Sequence, residues 1–187
     1  MSLELVIGPM FSGKSSYLLS SLRRFKEINW PVFVITSVFD KRYTEETKIV
    51  NHNKDSCVAN VAVEDLFDAM INTEFLNAKV IIIEEAQFYK NLVDFVVMAV
   101  DLHEKHVIVA GLDGDVNRNP FGEVLNLVPL ADSIVKLKAL CKKCNDGTHA
   151  IFSSKISDNK SVVDIGGSDK YEALCRNHYL KAICVKN

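Results

Sequence analysis

No apolar run in this chain of 187 residues approaches the ~20 residues of a membrane-spanning helix, so a helical membrane anchor is not expected. Excess charge of either sign is also missing. Lys and Arg number 22 against 24 Asp and Glu, which offers no general field for nucleic acid or an anionic membrane. Local basic residues such as Arg23, Arg24 and Lys26 read as a solvated helix face. A secretory signal is not visible either: Met1 leads straight into the apolar Leu3–Ile7, without a charged leader or a cleavage site. Five cysteines, an odd number, then argue against a disulfide scaffold. A reducing, cytoplasmic setting is the expectation. There is no internal repeat and no low-complexity tract, and 48% apolar content allows a sizeable core.

Short apolar runs alternate with helical patterns along the first two thirds of the chain. Leu3–Ile7, Val32–Thr36, Lys79–Glu85 and His106–Gly111 read as strands. Ser15–Arg24, Val63–Met70 and Leu92–Glu104 read as helices, and Phe39–Asp55 as a polar loop. This alternation implies an α/β fold with parallel strands covered on both faces. Past Lys136 the pattern changes to short strand-like pieces, "AIFSS" and "SVVDI", with a Gly pair. The expected division is an α/β nucleotide-binding domain over 1–138 and a small β-rich lobe over 139–187.

Directly after the first apolar run comes "GPMFSGKS", comprising Gly8, Pro9, Met10, Phe11, Ser12, Gly13, Lys14 and Ser15. The pattern G-x-x-x-x-G-K-S between a strand and a helix is a phosphate loop. Glycines let successive N–H groups converge on phosphate oxygens, and the helix start adds the positive end of its dipole. Lys14 supplies a point charge to the outer phosphates, and Ser15 a hydroxyl for Mg²⁺. ATP or GTP with Mg²⁺ is therefore expected, while the reaction remains open.

The run "IIIEE" ends an apolar strand in two carboxylates. Beside a phosphate loop, Glu84 fits the acid that meets Mg²⁺, and Glu85 a general base. In the following "AQFY", Gln87 and Phe88 either meet a base, by amide hydrogen bond and stacking, or pack as ordinary loop residues. Further on, Cys141 and Cys144 form one knuckle, and Cys175 and His178 another. Two such pairs suit a closed tetrahedral Zn²⁺ site, structural in kind, stapling a lobe too small for its own core.

Taken together, "GPMFSGKS", "DKRY", "EEAQF", "LDGDVNRNPFG", "LNLVPLADSIVKLKALCKKC" and "IGGSDKYEALCRNH" resemble the type II thymidine kinases over roughly Leu3 to Tyr179. The resemblance implies a RecA-like phosphate-loop core with a parallel sheet, plus a zinc-containing lobe with a lasso loop. It implies transfer of the ATP γ-phosphate to the 5′-hydroxyl of thymidine, and of deoxyuridine, with Glu85 as base. Asp40 and Arg42 would lie near the phosphates and the substrate hydroxyl. Met10, Phe88, Leu112 and Phe121 would wall the base pocket. Backbone groups of Val162, Val163, Asp164, Ile165 and Gly166, with Tyr171, would read thymine. A homotetramer inhibited by dTTP is implied as well.

Three positions depart from the family pattern. Glu84 stands for Asp, Val116 for a Phe expected against thymine, and Asp164 for an apolar residue. The first touches metal geometry; the other two touch nucleoside preference. Two other readings of the same residues are a DNA-stimulated ATPase with a zinc ribbon and a nucleotide-binding regulatory protein without catalysis.

Overall fold

Continuous apolar runs, buried on both faces, build the main sheet. In the computed structural model, which describes residues 1–38, 48–50, 56–156 and 166–186, the first strands are β1 (Ser2–Ile7) and β2 (Val32–Ser37). A hairpin of β3 (Lys48–Val50) and β4 (Ser56–Val58) follows, then β5 (Val61–Val63), β6 (Val80–Ile83) and β7 (His106–Gly111). With β8 (Ser133–Lys136), six strands pair in the order β5-β2-β6-β7-β1-β8, every pairing parallel.

Alternate residues face opposite sides of a strand. Leu3, Leu5, Phe33, Ile35, Ile81, Ile83, Val107 and Val109 enter one core with Phe75, Leu92, Phe95 and Leu127. Val6, Val34, Val80, Ile82, Ile108 and Ala110 enter the other with Leu18, Leu19 and Leu22. Those three leucines belong to α1 (Lys14–Glu27), whose exposed Arg23, Arg24 and Lys26 lie on or near its last turn, where cations oppose the dipole. The opposite face is covered by α2 (Phe67–Met70), α3 (Thr73–Asn77), α4 (Leu92–Val97) with its π-helical extension Met98–Leu102, and the 3₁₀ segment Val124–Leu130.

Several elements differ from the sequence expectation. The stretch Val63–Met70 is not one helix: Val63 completes the edge strand β5, and the Asp65 carboxylate accepts the Phe67 N–H at 2.9 Å, so the helix starts late. Part of the polar segment 39–55 pairs as β3, with Lys48 opposite Val58. The edge strand β8 leaves Ile134 about half exposed, so it carries no buried apolar run to betray it. The strand bearing Glu84 and Glu85 is also not immediately beside β1. β7 lies between them, so those strands are roughly 10 Å apart at the usual spacing.

After β8 come two small antiparallel pairs. β9 (Ala139–Leu140) pairs with β10 (His149–Ala150), and β11 (Phe152–Lys155) with β12 (Tyr171–Leu174). The chain ends in α5 (Arg176–Lys186). Its Tyr179 and Ile183 pack inward while Leu180 and Cys184 face outward. Apolar residues on both faces hide the stripe that would announce a helix. Ala139, Cys141, Ala150, Ala173, Leu174 and Tyr179 form a separate small core, and Phe11 of the phosphate loop packs against it.

Phe75 is the keystone of the larger core. It meets Phe33 edge-on at 5.9 Å and Phe95 at 5.8 Å, with the Lys105 ammonium 5.0 Å from its ring. Phe75→Ala is expected to cost about 3–5 kcal/mol, seen as a lowered denaturant midpoint with an unchanged slope.

Candidate active site

The exits of β1, β7 and β6 fall side by side on one rim of the sheet, because parallel neighbours share a direction. The phosphate loop leaves β1 through Gly8, whose φ of 154° and tight seat suit only glycine. A Cβ there would stand 2.5 Å from the Leu137 carbonyl oxygen. Gly13, at φ 87°, precedes α1, and no side chain caps that helix start, nor does an acid occupy its first turn. An uncapped, acid-free N-terminus is the electrostatic requirement for an anion site. Lys14 lies in the curl of the loop, its Nζ donating to the carbonyls of Gly8 at 3.2 Å and Pro9 at 2.9 Å. The Ser12 hydroxyl is buried and has no hydrogen-bond partner among the described residues.

Two contacts brace this loop from the small lobe. The Met10 N–H donates to Ser153 Oγ at 3.0 Å, and Phe11, held at a left-handed φ of 64°, packs on the lobe core. Neither was legible in the motif, since Ser153 lies far along the chain.

At the end of β6, Glu84 is buried and its N–H donates to the Ile35 carbonyl at 3.0 Å. Glu85 then adopts φ 52° and ψ 43°, a left-handed conformation uncommon for a side-chain-bearing residue and frequent at functional turns. A 3₁₀ turn, Ala86–Phe88, follows and brings Gln87 back toward it. Gln87 Nε2 donates to Glu85 Oε2 at 2.5 Å, and Gln87 Oε1 accepts the Leu112 N–H at 3.0 Å. The Gln87 amide is buried and bonded within the protein on both sides.

Leu112 directly follows β7, and the loop after it carries Val116 and Phe121. Phe88 meets Phe121 edge-on, centroids 5.9 Å apart. The Val116 carbonyl accepts the Tyr179 hydroxyl at 2.7 Å, and the Arg118 guanidinium sits 5.2 Å from the Tyr179 ring and 5.9 Å from Phe152. Asp113 pairs with Lys136 at 2.8 Å, joining this loop to β8. Tyr171 is buried at the start of β12, its N–H donating to Gly167 O at 3.0 Å. Gly166 borders the Lys170 side chain. Asp40, Arg42, Val162, Val163, Asp164 and Ile165 lie outside the described residues.

The four expected metal ligands converge. Cys144 Sγ is 3.7 Å from Cys175 Sγ and 3.2 Å from His178 Nδ1, and the ligand atoms of all four residues lie within 4.8 Å of one another. A tetrahedron with Zn–S bonds of ~2.3 Å has edges of ~3.8 Å, so the set fits Zn²⁺. Burial alone would raise the Cys141 thiol. Backbone groups of Cys175, Cys144 and Lys143, with the His178 side chain, outweigh it and bring the thiol down to about 6. The Cys175 N–H lies 3.2 Å from that sulfur.

With this geometry in view, comparison with known proteins is decisive. The family model described as thymidine kinase matches residues 1–179. The chain belongs to the thymidine kinase family. Among curated thymidine kinases, that of Yaba monkey tumor virus (strain VR587) is 40% identical, covering 96% of this chain and 94% of its own. The human cytosolic thymidine kinase is 38% identical over 96% of this chain and 73% of its own. The thymidine kinase of vaccinia virus (strain Western Reserve) is 37% identical over 95% and 96%. Among the described residues, no helix is long and apolar enough to cross a membrane.

The metal cluster generates a direct test. Elemental analysis should find about one zinc per chain, and Cys144→Ser should lose the ion and melt at lower temperature. A zinc-free chain melting with the native one would count against the assignment.

Proposed function

We propose that this protein is an ATP:thymidine 5′-phosphotransferase, forming dTMP and accepting deoxyuridine as well. The observation that carries the reading is the rim itself: an uncapped helix start with Lys14 in its loop, and a turn at the end of β6 that presents Glu85. Membership of the thymidine kinase family supports the choice of nucleoside.

The chemistry follows from the residues. Loop N–H groups and Lys14 bind the ATP phosphates and neutralise the charge that spreads over the transferred group. Ser15 and Glu84 offer hard oxygen donors that would hold Mg²⁺, and the ion would offset the negative charge of the phosphates. Glu85 accepts the proton of the 5′-hydroxyl as that oxygen attacks the γ-phosphorus and the bond to the β-phosphate breaks. A sugar alcohol is a poor nucleophile, so alignment and a nearby base carry most of the catalysis. In this reading Arg42 and Asp40 serve the phosphates. Met10, Phe88, Leu112, Val116 and Phe121 wall the base, and residues Val162 to Gly166 with Tyr171 read its edge.

Zinc on Cys141, Cys144, Cys175 and His178 supplies rigidity to a lobe beginning near residue 139. A homotetramer, dTTP as inhibitor and a cytoplasmic site of action belong to the same reading. The last follows the human relative named cytosolic. The DNA-stimulated ATPase has no support from the balanced charge.

Steady-state assays with ATP, Mg²⁺ and each deoxynucleoside test the proposal. Thymidine should be phosphorylated well above background, and failure of zinc-replete protein to form dTMP would overturn the reading. Glu85→Gln should bind both substrates yet turn over ~10²–10⁴-fold more slowly; a rate within threefold of the native protein would remove Glu85 from the role.

A further inference from the structure

Gln87 sits where two strand ends meet, and its amide can point only one way. The Leu112 main-chain N–H can only donate, so the atom it faces at 3.0 Å must be the amide oxygen. The amide NH₂ is thereby turned to Glu85, where Nε2 stands 2.5 Å from Oε2. The orientation is set by the backbone following β7, not by a rotatable side chain.

Two glycines make room for this arrangement. A Cβ on Gly111 would lie 3.2 Å from Gln87 Oε1, and one on Gly122, at φ 57°, would lie 2.4 Å from the Gln87 carbonyl oxygen. Gln87 is 4% exposed, so bulk water does not compete for the amide. A glutamate side chain turns about several bonds, and a base that wanders loses the proximity on which it depends.

We propose that Gln87 is a positioning residue for Glu85: anchored by Leu112, its amide fixes the carboxylate in the one rotamer from which it takes the hydroxyl proton. The inference rests on the reading of Glu85 as general base. Gln87 acts through Glu85 and contributes nothing when that carboxylate is gone.

That last clause supplies the experiment. Gln87→Met keeps length and bulk but removes donor and acceptor. Gln87→Glu keeps the acceptor for Leu112 while replacing the donor by a second carboxylate. Each is made in the native chain and in Glu85→Gln, and kcat, both KM values and the melting temperature are measured on zinc-replete protein. In the native background either change should lower kcat by about 10–100-fold while both KM values stay within about twofold. In the Glu85→Gln background the same change should cost less than about twofold, the non-additivity of residues that act as a unit. Equal losses in both backgrounds, or a native-background kcat within about twofold, would overturn the proposal. If Gln87→Met does not fold, Gln87→Glu alone closes the cycle. Failure of the underlying reading looks different: Glu85→Gln itself would then turn over near the native rate, whatever stands at 87.

Discussion

Strands β1, β6 and β7 run parallel between two apolar layers, and this constraint sends their exits to one rim. Backbone polar groups in such strands pair only with neighbouring strands, so the ends alone are available for chemistry. The phosphate loop, the Glu84–Gln87 turn and the Leu112–Phe121 loop are therefore neighbours by sheet order, although the chain separates them widely. Placing β7 between β1 and β6 has a further effect. The loop after β7 becomes the middle element and touches both sides, through Leu112 to Gln87 and through Asp113 to Lys136 beyond β1.

The small lobe does more than follow the sheet. Ser153 receives the Met10 N–H, Phe11 packs on the lobe core, and Tyr179 holds the Val116 carbonyl. Such a lobe has too little apolar area to be rigid by itself, and a closed Cys₃His cluster provides what burial cannot.

Much of this was legible in the sequence, for local reasons. The phosphate loop and the two metal knuckles are short-range spacings, and the structure places Lys14 in the loop and the four ligands together. The buried strands announced themselves as continuous apolar runs. Legibility failed where partners were distant or patterns mixed. Gln87 could not be assigned because its decisive neighbour, Leu112, lies 25 residues on, across a strand interface. Strand β8 and helix α5 went unread because each shows apolar residues to solvent as well as to the interior. The readings of Asp40, Arg42 and Val162 to Ile165 rest on resemblance alone.

Tyr179 follows directly after His178 and donates its hydroxyl to Val116 O, so the cluster and the Val116 loop share one short mechanical link. Oxidation of a single knuckle thiol would slacken that link at a distance. The slack would surface at the Val116 loop, well away from the sulfur, as a guy-rope loosened at its peg tilts the far pole first.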